Sequence, residues 1–203
     1  METSDGDPAP APLPLRWVEE LVNTRSVELG TDDVATPGDL ASWLQERDLL
    51  PPTVRVTPAA HARALQLREG LRALIAANND GGPPVPTGSA DGVDPRALAE
   101  LARLANDLPL VLDVTARPAR LASRATGTVD AALATLLAAV AGAIADGSWS
   151  RMKACRDPGC RWAYFDHSRN RSRAWCSMAL CGNRAKARAF RRRGSALEPG
   201  EQQ

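Results

Sequence analysis

The sequence predicts a mainly α-helical protein with a small β-hairpin, followed by a short C-terminal module that contains all of the cysteines. Ala, Leu and Arg, which favour helices, dominate the 203 residues. Apolar residues recur with helical spacing through most of the first 150 residues, which is typical of amphipathic helices around a core. The hydrophobic fraction of 44% is sufficient for such a core.

Helix starts are marked by capping residues. Thr or Asp followed by proline favours a helix start, because the side chain caps the first turn and proline fits the first helical position. This signature occurs at Thr36-Pro37, Thr57-Pro58 and Asp94-Pro95. Another helix is predicted from Leu15, and the most apolar one over Val129–Ala145. The uncharged run 131–145 has 15 residues, fewer than the roughly 18–20 that cross a bilayer, so it predicts a buried helix and no membrane partner.

One β-hairpin is predicted between these helices. Leu108–Thr115 and Ala119–Ala125 flank a turn at Arg117-Pro118, and the first stretch is rich in strand-forming residues. Only residues 146–148 separate the apolar helix from the cysteine module, so the two parts should pack together. The predicted organisation is a disordered lead at 1–14, an α-rich domain at 15–148, the module at 149–194 and a disordered tail at 195–203.

Charge is divided unevenly along the chain. The net charge is +1, but residues 1–150 have 12 arginines against 20 acidic residues, a net charge of −8. Residues 151–203 have 13 Lys or Arg against 4 acidic residues, a net charge of +9. A basic C-terminal part on an acidic body indicates a polyanionic partner.

The cysteine spacing predicts a structural zinc site. Two close pairs, Cys155 with Cys160 and Cys176 with Cys181, are separated by 15 residues, which is typical of four thiolate ligands around zinc. Four protein ligands leave no open position for catalysis. The first pair encloses a turn sequence; the second precedes a helical run, with Cys181 expected in its first turn. A short hairpin followed by a helix would give a treble-clef-like finger.

Two disulfides are the weighed alternative to zinc. Disulfides are rare in reducing compartments, and the N-terminus has neither the basic nor the hydrophobic segment of a signal peptide. We therefore expect a cytoplasmic protein with reduced cysteines. Four unrelated buried thiols are not expected either, because all four lie in one short stretch.

The C-terminal module resembles the CGNR zinc finger, whose name is spelled by Cys181-Gly182-Asn183-Arg184. The similarity extends over RMKACRDPGCRWAYFDHSRNRSRAWCSMALCGNRAKARAFRRR. Upstream, Leu21-Val22-Asn23-Thr24 and the segment GDLASWL are similar to the ABATE domain that accompanies this finger. The resemblance implies a stress-induced transcriptional regulator.

The basic residues of the module are candidates for nucleic-acid binding, most of all to DNA. In an extended segment, the alternating arginines of SRNRSR would project to one side. On the terminal helix, Arg184, Arg188 and Arg191 would form one stripe. Arginine suits phosphate contacts and contacts to guanine. The candidate set is Arg169, Asn170, Arg171, Arg173, Arg184, Lys186, Arg188 and Arg191.

The expected function is DNA-binding transcription regulation, with the N-terminal domain forming a homodimer or sensing a small-molecule ligand. The alternative is a zinc-stabilised basic module that binds a protein partner or RNA. RNA binding would require exposed rings at Trp162, Tyr164 or Trp175 for base stacking. We do not expect an enzyme, because the chain has two histidines and neither a glycine-rich phosphate loop nor a G-x-S-x-G turn.

Overall fold

The computed structural model describes residues 9–79 and 93–195. The described residues form a mainly helical protein with three small antiparallel sheets of two strands each. The helices are α1 (Leu15–Asn23), α2 (Pro37–Gln45), α3 (Pro58–Ala76), α4 (Pro95–Asp107), α5 (Val129–Ala145) and α6 (Asn183–Ser195). The strands are β1 (Arg25–Ser26), β2 (Thr31–Asp32), β3 (Leu110–Asp113), β4 (Arg120–Ser123), β5 (Met152–Ala154) and β6 (Ala163–Phe165).

The predicted helix starts are confirmed, and side-chain caps explain those of α2, α3, α4 and α5, whereas α1 begins without one. The Thr36 hydroxyl accepts from the backbone N–H of Asp39, whose carboxylate accepts from the Thr36 backbone in return. Asp94 caps α4 and Thr128 caps α5 in the same way, each satisfying an N–H of the first turn. These caps are local signals, because each capping residue directly precedes the helix that it starts.

The core is built around α5, as its apolar sequence predicts. Helices α1 and α3 both pack against α5, and α4 packs against α3. Gly70 allows α3 and α4 to approach closely, because a Cβ at that position would lie 2.6 Å from the Leu101 Cβ. The fully buried apolar side chains include Val18, Val22, Leu40, Leu67, Leu71, Leu133 and Leu136. Within the described residues, none of the helices combines the length and the hydropathy of a membrane span.

Two hairpins lie in the described part of the N-terminal domain, and the sequence predicted one of them. The predicted hairpin is β3 with β4, with Leu112 opposite Leu121. The other, β1 with β2, has two residues in each strand and was not predicted because its sequence is short and polar. Its base is held by the buried Arg68, which donates to both carboxylate oxygens of Asp32 at 2.7 and 2.8 Å and to the Thr24 hydroxyl.

The cysteine module packs on the helical domain, as the short connection predicted. Every residue of β5 and β6 is buried. Met152, Ala154, Ala163 and Phe165 from this hairpin belong to the same apolar core as the helices. The first half of the module is therefore part of the N-terminal core.

Three asparagines of the N-terminal domain also bind the backbone of this hairpin. The Asn23 side chain both donates to the carbonyl and accepts from the N–H of Ala163, each at 2.8 Å. Asn78 donates to the carbonyls of Trp149 and Met152, and the buried Asn79 donates to the carbonyl of Ala154. These amides satisfy backbone groups that burial would otherwise leave unpaired.

The N-terminal lead, residues 1–14, is predicted to be disordered, but its described residues 9–14 pack on the helical domain. Residues 9–14 lie against the domain, with Ala11 buried and its N–H donating to Glu19 at 2.6 Å. The buried Glu19 carboxylate needs such a donor, and burial raises its pKa above the ordinary value. The rest of the predicted lead, 1–8, lies outside the described residues, as does most of the predicted tail, 196–203; Ser195 belongs to α6.

Candidate metal centre and basic surface

The four cysteines converge at one point. Their sulfur atoms all lie within 4.8 Å of one another. The Sγ atoms of Cys160 and Cys176 are 3.6 Å apart, and those of Cys176 and Cys181 are 3.7 Å apart. Tetrahedral zinc with bonds of about 2.3 Å separates its sulfur ligands by about 3.8 Å. The thiols therefore have the spacing that one zinc ion requires.

The first ligand pair is positioned by a tight turn. Asp157 closes this turn: its carboxylate accepts from the Gly159 N–H, and its carbonyl accepts from the Cys160 N–H. The Cys155 N–H donates to the carbonyl of Trp162, which brings the chain back across the turn. The turn places the sulfurs of Cys155 and Cys160 on the same side.

The second pair is positioned by a π-helical turn, Met178–Gly182. Cys176 precedes the turn, as predicted. Cys181 lies inside the turn rather than in the first turn of α6, which differs from the prediction. The wider π turn, capped by the Ser177 hydroxyl, lets Cys181 face the other thiols before the regular helix begins.

Gly182 and Asn183 hold this turn together. A Cβ at Gly182 would lie 2.9 Å from the Met178 sulfur and 3.4 Å from the Trp175 ring, so glycine lets the exposed Met178 side chain fold back over the turn. The Asn183 side chain donates to the carbonyl of Ala179 at 3.0 Å. Both residues of the CGNR sequence thus shape the ligand turn.

The charge of the cluster also favours a metal ion. The hydrogen bond between Cys155 and Cys160 raises the pKa of Cys155 to about 12 and lowers the pKa of Cys160 to about 2. The pKa of Cys176 is raised, first by its hydrogen bond to Cys155. Thiols this close cannot all ionise unless a cation offsets their repulsion. A zinc ion held by Cys155, Cys160, Cys176 and Cys181 supplies that cation and fixes the fold of the finger.

Two predicted nucleic-acid contacts face the metal centre. Arg184 and Arg188 both form ion pairs with the buried Asp157, at 3.1 and 3.2 Å. Arg184 also donates to the Cys181 sulfur at 3.0 Å and to the Glu28 carboxylate at 2.7 and 2.9 Å. The predicted single stripe is therefore divided: Arg184 and Arg188 point inward, half-buried, while Arg191 is exposed.

The SRNRSR segment is a turn and not an extended strand. The Arg171 N–H donates to the carbonyl of Ser168. Asp166 organises the turn, because its buried carboxylate accepts from Lys153, Ser168 and the Arg173 N–H. Desolvation alone would raise the pKa of Asp166, but these hydrogen bonds lower it below the ordinary value.

Arg171 and Arg173 are engaged by this turn. The Arg173 guanidinium donates to the carbonyl of Trp175 at 2.8 Å and lies 5.5 Å from the centre of the Tyr164 ring. Arg171 donates to the Ser150 hydroxyl at 2.9 Å, although its side chain remains on the surface. The predicted alternation of arginines on one side is replaced by contacts that stabilise the finger.

The remaining candidates are exposed at two places on the finger, which together are called its outward surface here. Arg169 and Asn170 are exposed at the tip of the turn. Lys186 and Arg191 are exposed on α6, beside Phe190, whose exposed fraction is 73%. The predicted set thus separates into exposed residues and residues that hold the finger together.

A groove of about 560 Å³ lies where the finger meets α1 and α2. Its walls include the indoles of Trp43 and Trp162 and the carboxylates of Glu19 and Asp33. The sequence did not predict this groove, because its residues come from segments far apart along the chain.

Sequence reasoning also missed two acidic residues of the site. The sequence predicts Asp157 only as part of the turn between Cys155 and Cys160. Its position between two cysteines, with an arginine-rich helix following, is the signal that could have indicated its ion pairs with Arg184 and Arg188. Glu28 gave no such signal, since 156 residues separate it from Arg184.

Two family models match the chain. The CGNR zinc finger model matches residues 151–194. The ABATE model, described as "putative stress-induced transcription regulator", matches residues 15–147, which is more than half of the chain. No curated protein matches the sequence of this chain. Both matches agree with the predicted order of the two parts, so the chain belongs to the ABATE family and ends in a CGNR zinc finger.

Proposed function

We propose that the protein regulates transcription by binding DNA through the outward surface of its zinc finger. The observation that supports this is the distribution of charge in the finger. Between residues 151 and 193 the acids are Asp157 and Asp166, and both are buried against basic groups. Arg169, Lys186 and Arg191 remain exposed. The surface that faces a partner is therefore positive.

Such a surface fits the phosphate backbone of a nucleic acid. Each lysine or arginine that neutralises a phosphate releases counterions, so the affinity falls with salt concentration. These contacts position the finger, and Asn170 at the tip of the turn offers an amide for a base edge.

The test is a pair of variants that remove one positive charge each. Lys186→Ala removes an exposed charge of α6, and Arg96→Ala removes an exposed charge of α4 in the N-terminal domain. Binding to labelled DNA is measured by fluorescence anisotropy at several salt concentrations. We expect K186A to weaken binding and to reduce the slope of log affinity against log salt by about 0.9, whereas R96A leaves both unchanged. Equal slopes for the two variants would refute the proposed surface.

The three rings that the sequence singled out for base stacking do not support binding of single-stranded RNA; the exposed ring that lies beside the basic residues of α6 is Phe190. Tyr164 is fully buried and donates its hydroxyl to the carbonyl of Arg173. Trp175 packs against the cysteines. Trp162 is 38% exposed but lines the acidic groove rather than the basic surface. None of these three rings is placed for stacking on bases beside the basic residues. A basic finger that binds an acidic protein partner is the second candidate, and the absence of DNA binding in the anisotropy experiment would favour it.

We also propose that the N-terminal domain provides self-association. A single zinc module buries only about 600–1,000 Å² on DNA, so a dimer would strengthen binding. Leu112 and Leu121 form a cross-strand pair on the β3–β4 hairpin and are 62% and 39% exposed, with Val114 beside them at 63%. Light scattering of wild type and Leu112→Glu tests this: the variant should lower the molecular mass if the hairpin forms the dimer.

We also propose that the N-terminal domain senses a small molecule, which would bind in the groove between the finger and helices α1 and α2. The groove contacts Thr24 and Asp33, which flank the β1–β2 hairpin, and Trp162 of the finger. A ligand there would touch both parts of the protein. We propose that the zinc site is structural and that the protein is not an enzyme, since a zinc ion with four thiolate ligands has no position for a substrate. We also propose that the regulator acts in the cytoplasm.

A further inference from the structure

The turn between β1 and β2 reaches the start of the finger's last helix. The Glu28 carboxylate at this turn accepts two hydrogen bonds from the Arg184 guanidinium, at 2.7 and 2.9 Å. Arg184 is the arginine of the CGNR sequence and follows the zinc ligand Cys181 by three residues. An acidic residue of the N-terminal domain thus binds a basic residue of the predicted nucleic-acid surface.

The geometry of this pair is that of a guanidinium bound to a phosphate. Arginine presents two parallel N–H groups, and a carboxylate and a phosphate accept them in the same bidentate way. The Arg184 Nε lies 3.1 Å from the buried Asp157 carboxylate, an ion pair without a hydrogen bond, and the Nη2 that binds Glu28 also donates to the Cys181 sulfur. Glu28 binds the two terminal nitrogens of a guanidinium that is pre-oriented by the metal centre.

The pair is also accessible to exchange. The side chains of Arg184 and Glu28 are 39% and 47% exposed. An ion pair at this exposure contributes little free energy, because water and salt screen it. Glu28 lies on a turn between strands of two residues each, so few backbone hydrogen bonds fix its position.

We propose that Arg184 is a binding site for a backbone phosphate of DNA and that Glu28 occupies this site in the free protein. This inference rests on the proposed function, since it assumes that the finger binds DNA. In the complex, the phosphate replaces the Glu28 carboxylate while Asp157 and Cys181 keep the guanidinium in place. The β1–β2 hairpin of the N-terminal domain then acts as an internal competitor for DNA.

The test compares two variants with the same change of charge. Glu28→Gln weakens the carboxylate contact to Arg184, and Glu100→Gln neutralises an exposed acid of α4. Anisotropy titrations of the full zinc-loaded chain with duplex DNA at four salt concentrations give the affinity and the salt slope. We expect E28Q to bind about two- to five-fold more tightly than E100Q, the range that an exposed ion pair allows.

The dependence on Arg184 is tested in a second background. E28Q should give no gain over E100Q when Arg184→Gln is also present, because the phosphate site is then missing. Zinc content is measured for each protein, and if R184Q loses zinc, the comparison of E28Q with E100Q decides alone.

Two outcomes overturn the inference in different ways. Equal affinities for E28Q and E100Q, with clear DNA binding, would mean that Glu28 does not compete and that only the proposed function stands. No binding by any of the proteins at the lowest salt would remove the proposed function and this inference together.

Discussion

The N-terminal helices and the zinc-binding half of the finger are stabilised by different interactions. The helices bury leucine, valine and alanine side chains around α5. Around the cysteines, the finger buries the charged groups of Lys153, Arg156, Asp157 and Asp166. The β5–β6 hairpin connects the two, because four of its six side chains belong to the helical core while the chain on either side of β6 leads to the cysteines.

The finger is therefore not an independent module. Its hairpin depends on apolar burial and on asparagines of the N-terminal domain. Its ligand turns depend on a metal ion, because thiols and charged groups give little hydrophobic stabilisation. Removing either support should therefore affect a different part of the molecule.

The largest effect is expected from loss of a zinc ligand. In Cys160→Ser the four-thiolate site is incomplete, and structural zinc contributes about 10 kcal/mol or more to folding of small zinc modules. We expect loss of stoichiometric zinc and of order after β6, while the helical circular dichroism of α1–α5 persists. Zinc analysis and limited proteolysis measure this. Collapse of the whole helical signal would contradict the division into two parts.

A smaller effect is expected from Asn23→Ala. This change leaves the buried N–H and carbonyl of Ala163 without their partner, at about 1–3 kcal/mol for each group. Urea unfolding of the zinc-loaded protein measures the loss of stability. Asn170→Ala, an exposed residue of the same type, is the control and should leave the free energy of unfolding unchanged. Equal stabilities of both variants would mean that the amide does not dock the finger.

A third variant tests the helical domain alone. Gly70→Ala places a Cβ 2.6 Å from the Leu101 Cβ, so α3 and α4 must separate, at a cost of about 1–3 kcal/mol. Gly142→Ala in α5 is the matched control, because no atom lies within 4 Å of its added Cβ, and it should be neutral or slightly stabilising. Thermal unfolding measures both. Zinc content should stay unchanged in G70A, and zinc loss in this variant would show closer coupling than we infer.

The smallest expected effect is on the pH dependence of the free energy of unfolding, through Asp32 at the base of the β1–β2 hairpin. Desolvation would raise the pKa of Asp32, but hydrogen bonds from Arg68 and Val34 lower it below the ordinary value. A lowered folded pKa stabilises the protein above the unfolded pKa of about 3.9 and loses this contribution as the pH falls through the folded value.

The measurement is urea unfolding of wild type and Asp32→Asn between pH 6 and pH 2. The free-energy difference between the two should be largest near pH 6 and shrink below about pH 4. Zinc release in acid affects both proteins and cancels in the difference. A difference that is independent of pH would mean that the charge of Asp32 does not contribute.

Much of the fold could be predicted from the sequence because the signals are local. Capping residues such as Thr36, Asp94 and Thr128 lie next to the helices that they start. The ligands of the metal centre follow from cysteine spacing alone. The β1–β2 hairpin could not be predicted, since its strands have two residues each and a buried arginine from α3 holds them.

The order of the two parts, the helices and the four zinc ligands follow from local signals in the sequence. Which basic residues of the finger face outward depends instead on tertiary contacts. Helix α6 has only a weak apolar signal, the half-buried Ala185 and Ala189, which does not reveal that Arg184 and Arg188 turn inward beside them. Its orientation comes from ion pairs of Arg184 and Arg188 with Asp157 and from Glu28, which is distant in the chain. Such long-range charge pairs leave no periodic pattern in the sequence, and the folded protein alone brings them together.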